Sequence, residues 1–171
     1  MHPEAAQFVG SCAELLNPQI GLDVGGRDVN GCCRLLFVGC RWEVLDIEPG
    51  LNVDHVADFA EWTTDRRYDV ILCTEVFEHV ANWSELCRNA FDLLSDGGSF
   101  VITAATEPRQ PHSAVDGGPL RENEHYANID PMSLWAQLHE IGFDVRRFVI
   151  QCHRTTRRSG WGDIYAMAYK S

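Results

Sequence analysis

The sequence predicts a single α/β domain, residues 1–171, with a doubly wound, mostly parallel sheet of seven strands that ends in an antiparallel hairpin. A chain of 171 residues suits one domain and is long enough to bury a hydrophobic core. Segments with helical periodicity alternate with short apolar segments, which is typical of a parallel sheet covered by helices on both faces. The last two strand-like segments follow one another without an intervening helix, and this predicts the hairpin.

Four segments are predicted to be helical because apolar residues recur at intervals of three or four. The first carries Ala6, Val9 and Ala13 on one stripe and ends before Pro18. Gly142 ends the last one. The predicted helices are Pro3–Leu16, a short helix near Asn30–Phe37, Ser84–Leu94 and Met132–Ile141.

Seven apolar segments are predicted to be strands. Tyr68–Thr74 (YDVILCT) is apolar on both faces, as expected for a central strand of a parallel sheet. The polar stretch Thr106–Pro131 is rich in Pro, Gly and His, and a stretch of this length in a compact domain is usually functional or disordered. The predicted strands are Ile20–Val24, Glu43–Ile47, Val53–Ala57, Tyr68–Thr74, Ser99–Ala104, Phe143–Cys152 and Asp163–Tyr169.

Composition and charge disfavour several classes of protein. The net charge of −11 disfavours nucleic-acid partners, because their binding depends on Lys and Arg that neutralise phosphates. The chain has no run of about 18 apolar residues, so no membrane-spanning helix is expected. The N-terminal residues lack the layout of a signal peptide, and the seven cysteines lack Cys-x-x-Cys spacing. These features predict a cytoplasmic protein with reduced thiols in its core.

A glycine turn follows the first predicted strand, in residues 21–26 (GLDVGG). Glycines let a backbone approach a ligand closely, and the N–H groups of a following helix can bind anionic groups of that ligand. A strand, a glycine turn and a helix in this order therefore favour a nucleotide-type site. A plain tight turn has the same residues, so the turn does not decide the function by itself.

Acidic residues stand at the ends of the next three strands. Asp46 can accept hydrogen bonds from both ribose hydroxyls of an adenosine. Asp58 can accept from the amino group of adenine, while Phe59 covers the face of the ring. Glu75 ends the fourth strand. Because the carboxyl ends of the strands lie along one edge of a doubly wound sheet, these side chains are expected to converge on one site.

Five motifs follow one another between Gly21 and Ala105: LDVG, LDI, ADF, YDVILCTEVFEHV and LLSDGGSFVITA. In this order they resemble the class I S-adenosylmethionine-dependent methyltransferases, and EVFEHV followed by a helix and LLSDGG resembles the branch that includes small-molecule methyltransferases. The resemblance implies a Rossmann-like fold that ends in an antiparallel strand. It also implies S-adenosylmethionine as cofactor and methyl transfer to an oxygen or nitrogen atom of a small-molecule acceptor.

The resemblance further implies cofactor-binding roles for particular residues. Asp23, Gly25 and Gly26 would form the turn around the methionine part of the cofactor, and Asp46 with Ile47 would hold the ribose. The residues at the next two strand ends would hold the adenine and border the methyl-donor site. These residues are Asp58 and Phe59 for the adenine and Glu75 for the methyl-donor site.

The turn departs from the family pattern. In the family, glycines usually stand at the second, fourth and sixth positions after the acid that corresponds to Asp23, and here only Gly25 fits. Arg27 and Val29 stand at the other two positions. Either Arg27 adopts a backbone conformation that usually needs glycine, or the turn is reshaped. The Arg27 guanidinium could pair with the cofactor carboxylate, point to solvent or brace the turn.

Three histidines are candidate catalytic bases, because the ordinary pKa of histidine lies near neutrality. His79 follows the fourth strand, while His112 and His125 lie in the long polar stretch at the same edge of the sheet. Each of them could instead be structural or solvated. No set of His, Cys and Asp residues has the spacing of a metal site, so no required metal is predicted.

The segment His153–Arg158 is a positive cluster on an acidic chain. It favours an acceptor with an anionic group, although a solvated hairpin tip would have the same residues. The acceptor site would be made within the chain or completed by a second copy in a homo-oligomer. Two alternatives stay open. One is a nicotinamide-dependent oxidoreductase, whose G-x-G-x-x-G pattern is missing, and the other is a non-catalytic binding module with a weakened cofactor site.

Overall fold

A computed structural model of the chain describes residues 3–28, 31–154 and 160–171. Within these residues seven strands form one sheet, and they are β1 Ile20–Val24, β2 Arg41–Asp46, β3 His55–Val56, β4 Tyr68–Thr74, β5 Leu94–Ala105, β6 Phe143–Arg154 and β7 Gly160–Lys170. Their spatial order is β3-β2-β1-β4-β5-β7-β6. The first five strands pair in parallel, and β7 pairs antiparallel with both β5 and β6. The predicted doubly wound sheet with a C-terminal hairpin is therefore confirmed.

The middle of the sheet is buried on both faces, in agreement with the apolar sequence of β4. Val70 and Leu72 belong to one buried apolar cluster, which also contains Phe8, whereas Ile71 and Cys73 belong to the other. Successive side chains of a strand point to opposite faces, so a strand that is apolar throughout needs cover on both.

Three α-helices of the described chain supply this cover: α1 Pro3–Ala13, α2 Trp83–Leu93 and α3 Pro131–Ile141. The buried residues of α1 lie in one apolar cluster, and those of α2 and α3 lie in the other. Asp130 begins α3, because its carboxylate accepts a hydrogen bond from the Ser133 N–H at 2.8 Å. Gly142 ends α3 with a left-handed φ of 112°. None of the helices in the described residues has the length and hydropathy needed to cross a bilayer.

The chain after β1 differs from the prediction. In place of the short helix expected near Asn30–Phe37, the described residues form one 3₁₀ turn, Arg34–Leu36. Residues 29 and 30 lie outside the described part of the chain. The Arg34 side chain is directed back onto the glycine turn, where it donates to the Gly26 carbonyl at 2.9 Å. Among the described residues between β1 and β2, no α-helix offers N–H groups to a ligand, and the Arg34 side chain supports the turn.

The polar stretch after β5 is held over the carboxyl edge of the parallel strands. The Ile129 N–H donates to the Ala105 carbonyl at 2.9 Å, and the Ala127 N–H donates to the Glu78 carbonyl at 2.8 Å. Residues 106–130 contain no helix or strand. These hydrogen bonds nevertheless place the stretch where ligands bind in sheets of this kind.

Candidate functional site

The strand order reverses between β1 and β4, and a cavity of about 660 Å³ opens at the carboxyl ends of these strands. Asp46, Asp58 and Glu75 line this first cavity, together with Ile47 and Phe59. Its volume lies in the range of pockets that hold small ligands and cofactors. The reversal of strand order is the place where doubly wound sheets bind their ligands.

Two glycines let the backbone turn tightly at the first cavity. Gly25 has a left-handed φ of 69°, and a Cβ there would lie 2.4 Å from Val76 Cγ2. A Cβ on Gly26 would lie 2.6 Å from the Asp23 carboxylate. The Gly25 N–H donates to the Leu45 carbonyl at 2.8 Å and ties the turn to β2. Neither position has room for a side chain, so Gly25 presents bare backbone to the cavity.

A buried ion pair supports the turn from within. Arg34 donates from Nη1 to Asp23 Oδ2 at 2.8 Å and from Nη2 to Asp28 Oδ2 at 2.8 Å. Burial raises the pKa of Asp23 to about 6, and the hydrogen bond from Arg34 opposes this rise. Asp23 does not line the first cavity. The role of Arg34 was not predictable from the sequence, because no spacing signal connects it to the turn.

Arg27 lines the first cavity and helps to orient Asp46. The non-glycine residues of the described chain with positive φ are Glu75 and Asn123, so Arg27 does not adopt the glycine-like conformation and the turn is reshaped. The Arg27 N–H donates to Asp46 Oδ2 at 3.2 Å, and the Glu48 N–H donates to Asp46 Oδ1 at 2.9 Å. Two backbone donors thus fix the Asp46 carboxylate, and each of its oxygens keeps a further lone pair for a ligand.

The far end of the first cavity combines a carboxylate with apolar surface. Asp58 Oδ1 accepts a hydrogen bond from the Ala60 N–H at 2.9 Å. Phe59 is 3% exposed, and its carbonyl accepts from Asn89 Nδ2 at 2.5 Å. Ile47 is 70% exposed at the mouth of the cavity. This combination suits a flat heteroaromatic ring that carries an amino group.

Glu75 stands where the first cavity meets a second one of about 770 Å³. Its φ of 58° is left-handed, a strained conformation for a residue other than glycine and one that clusters at functional sites. The Thr103 hydroxyl donates to Glu75 Oε1 at 2.8 Å, and the Thr103 carbonyl accepts from the Glu75 N–H at 2.9 Å. Glu75, His79 and Ala114 line both cavities, so ligands in the two would lie side by side.

Glu78 is a fully buried carboxyl group close to this shared wall. Neither of its carboxylate oxygens has a hydrogen-bond partner among the described residues. Burial raises the pKa of Glu78 well above its ordinary value, and the charge of Glu75 raises it further. The backbone N–H groups of Glu78 and Ala105 oppose this rise in pKa, although neither forms a hydrogen bond with the carboxylate. Nothing in the local sequence marked this acid as buried, since it follows a strand end where acids are usually solvated.

Two of the three predicted histidines meet at the shared wall. The ring centroids of His79 and His112 lie 5.1 Å apart, and the Tyr126 ring packs 5.5 Å from His79 and 4.9 Å from His112. Burial, and then the neighbouring His112, lower the pKa of His79 to about 4, so its ring is neutral at physiological pH. The His125 side chain is exposed and lines neither of these cavities.

Comparison with protein families identifies the chain. A family model described as a methyltransferase domain matches residues 2–147. The chain belongs to this methyltransferase family. The predicted enzyme class, an S-adenosylmethionine-dependent methyltransferase, is thereby confirmed. No match was found among curated proteins.

Several solved structures share the fold at low sequence identity. N-methyltransferase NodS from Bradyrhizobium japonicum WM9, in complex with S-adenosyl-L-homocysteine, is 14% identical, with a TM-score of 0.68 over 98% of this chain and 85% of that one. The 1,6-didemethyltoxoflavin-N1-methyltransferase of Burkholderia thailandensis is 17% identical, with a TM-score of 0.69 over 98% and 78% of the two chains. TehB from Haemophilus influenzae is 17% identical, with a TM-score of 0.70 over 100% and 63%.

The methyltransferase fold brings most of the predicted cofactor residues to one cavity. Asp23 and Gly26 lie outside its wall. The residues that line it are Gly25, Arg27, Asp46, Ile47, Asp58, Phe59 and Glu75. Of the basic cluster predicted to attract an anionic acceptor, residues 155–158 lie outside the described part of the chain, so that role stays a prediction.

Proposed function

We propose that this methyltransferase binds S-adenosylmethionine in the first cavity and methylates a nitrogen or oxygen atom of a small molecule held in the second. The supporting observation is that Glu75 and His79 line both cavities. Methyl transfer is a direct displacement, so the donor and acceptor atoms must be held in contact and in line. Two cavities with a common wall would bring the two ligands side by side, which supports this arrangement.

The cofactor would be held by polar groups whose geometry leaves capacity for a ligand. The Asp46 carboxylate, already oriented by two backbone N–H groups, would accept from the ribose hydroxyls. Asp58 would accept from the adenine amino group, beside the exposed surface of Ile47. Arg27 Nε is buried and has no hydrogen-bond partner among the described residues. It would pair with the cofactor carboxylate, next to the bare backbone of Gly25.

The acceptor side depends on what the chain's own residues do. When bound, the cofactor supplies a methyl group that is already activated by the sulfonium. The chain then has to orient the acceptor, exclude water and, for a protonated acceptor, receive a proton. His79 and His112 are the proposed acceptor-orienting residues, supported by their positions in the wall of the second cavity. The exposed position of His125 makes it a weaker candidate.

Isothermal titration calorimetry with S-adenosylhomocysteine tests the proposal. Wild-type protein is expected to bind one equivalent, and Asp46→Asn is expected to weaken binding at least about tenfold, since a charge-assisted hydrogen bond contributes about 1.5–3 kcal/mol. Asp92→Asn makes the same chemical change at an exposed position of α2 and should leave binding unchanged.

The same titration distinguishes the alternatives. A wild-type protein that fails to bind S-adenosylhomocysteine at millimolar concentration would be a non-catalytic module that has kept the fold. Preferential binding of reduced nicotinamide dinucleotide would favour the oxidoreductase. Equal affinity of wild type and Asp46→Asn would show that Asp46 does not hold the ribose.

A further inference from the structure

Three potential metal ligands meet between the two cavities. Glu78, His79 and His112 each offer one donor atom, and these atoms all lie within 4.8 Å of one another. His79 lines both cavities, and His112 lines the second. The sequence showed no metal spacing, because the polar stretch after β5 brings His112 back to the other two residues only in the folded chain.

Potential ligand atoms of Glu78 and His79, which follow β4, have no hydrogen-bond partner among the described residues. Both carboxylate oxygens of the fully buried Glu78 and the buried Nδ1 of His79 have no hydrogen-bond partner among the described residues. Buried polar groups are nearly always satisfied, and a buried carboxylate without a partner is costly. A cation bound between these two side chains would satisfy both.

His112 is held in the form that binds metals. Its Nδ1 lies 3.1 Å from the Gln110 carbonyl oxygen. A carbonyl can only accept, so Nδ1 carries the hydrogen and Nε2 of the neutral ring keeps its lone pair. Metal-binding histidines typically donate their second ring N–H to a carbonyl or carboxylate in this way.

We propose that Glu78, His79 and His112 bind a divalent transition-metal cation, Zn²⁺ in the first instance, at the junction of the two cavities. Two imidazole nitrogens and one carboxylate favour Zn²⁺ over Mg²⁺ and Ca²⁺, which prefer all-oxygen sites. Metal–ligand bonds of about 2.0–2.2 Å place donor atoms about 3.0–3.5 Å apart. The three side chains therefore close around the cation by small rotations, which the position of His112 in a loop permits.

The surrounding charges favour a cation. Glu75 lines both cavities beside His79, so a further carboxylate adjoins the three ligands, and Glu78 adds its own charge when a bound cation displaces its proton. Arg109, the nearby positive group, forms an ion pair with the buried Asp163. Three protein ligands leave a coordination position open, as in catalytic zinc sites. If the proposed function is correct, this position faces an acceptor that binds the cation through an oxygen or nitrogen atom next to its nucleophile.

Calorimetric titration of chelator-treated protein with Zn²⁺ tests the site. Wild-type protein is expected to bind one equivalent that Mg²⁺ does not displace. Glu78→Gln and His112→Ala are each expected to weaken this binding more than about 100-fold, a loss that removal of even an outer-shell partner can reach. The control His139→Ala removes an exposed histidine of α3 that lines neither cavity and should leave the affinity for Zn²⁺ unchanged. Circular dichroism of each variant verifies folding, and Co²⁺ absorption in the wild type reports nitrogen and oxygen coordination directly.

The outcomes separate this inference from the proposed function. Undiminished Zn²⁺ affinity in both folded variants would place the bound ion elsewhere and overturn the site, as would the absence of binding at millimolar Zn²⁺. Mg²⁺ affinity equal to that for Zn²⁺ would overturn the choice of cation. S-adenosylhomocysteine is titrated in parallel. If it binds while Zn²⁺ does not, only the metal site fails, and the opposite result leaves the site intact while the proposed function fails.

Discussion

Replacing Arg34 with methionine is expected to destabilise the protein more at pH 8 than at pH 5. Arg34 donates to Asp23 Oδ2 at 2.8 Å and to the Gly26 carbonyl at 2.9 Å, and both charged side chains are buried. Methionine keeps much of the length and apolar packing of the arginine. It removes these two hydrogen bonds and the more exposed pair with Asp28, however, and leaves the Asp23 carboxylate buried without its partner.

The size of the destabilisation caused by Arg34→Met depends on whether Asp23 is ionised. Removal of one partner from a buried ion pair costs about 3–5 kcal/mol, which applies at pH 8. Burial raises the pKa of Asp23 to about 6 in the fold. Since this exceeds the unfolded value of about 3.9, the contribution of Asp23 to stability is complete below about pH 4 and is lost as the pH rises through about 6. Without Arg34 the pKa rises further. At pH 5 Asp23 then stays protonated, and only the lost hydrogen bonds, about 1–2 kcal/mol, remain.

Urea unfolding followed by circular dichroism at pH 5 and pH 8 measures both values. Arg88→Met is the matched control, because the Arg88 side chain is 58% exposed, and its effect should stay within about 0.5 kcal/mol at either pH. Asp23→Asn added to Arg34→Met removes the unpaired charge and should recover most of the loss at pH 8. A loss that does not depend on pH, or a double variant no more stable than the single one, would refute the reasoning.

Two further substitutions test the glycine turn and the buried acid. Gly25→Ala is expected to lower the free energy of unfolding by about 1–3 kcal/mol and to weaken S-adenosylhomocysteine binding in calorimetry, because the new Cβ would lie 2.4 Å from Val76 Cγ2 at a φ of 69°. Glu78→Gln, measured with a chelator present, is expected to raise the free energy of unfolding at pH 8 by on the order of 1–3 kcal/mol. Because the pKa of Glu78 is raised in the fold, its contribution to stability is lost as the pH rises through that folded-state pKa. Glutamine is neutral at every pH. The stability gained by Glu78→Gln should therefore fade towards pH 4.

Matched variants decide both outcomes. Gly39 also has a positive φ, 85°, but a Cβ there would meet nothing within 4 Å. Gly39→Ala therefore measures the effect of backbone strain alone. If Gly25→Ala lowers the free energy of unfolding by no more than Gly39→Ala, the predicted clash with Val76 is contradicted. Glu140→Gln changes an exposed acid and should leave stability unchanged. A Glu78→Gln protein less stable than wild type at pH 8 would show that the buried carboxylate already has a stabilising partner.

The fold could be predicted because its signals are local. The apolar run of β4 predicts a strand buried on both faces, and alternation of helical and strand-like segments predicts the parallel order. The meeting of Asp46 and Asp58 at one cavity follows from the same topology, since parallel strands end at a common edge.

The contact of Arg34 with the glycine turn could not be predicted, because no periodicity or spacing in the sequence connects the two. The sequence predicts a helix near Asn30–Phe37, but Arg34 instead reaches the turn and pairs with Asp23. Helical periodicity does not record such a contact. Whether a charged residue is solvated or buried against a partner depends on residues that are distant along the chain.

The amino-acid sequence by itself determined the succession of strands along the chain, the glycine turn and the row of acids at the sheet edge. Strand periodicity can be read from neighbouring residues, and parallel strands end at a common edge. Only the tertiary structure decided which polar groups are deprived of water. The stretch between β5 and α3 folds over the edge and brings His112 against His79, beside the buried and unpartnered Glu78. Burial and convergence of this kind arise when distant segments pack together, and no local pattern carries that information.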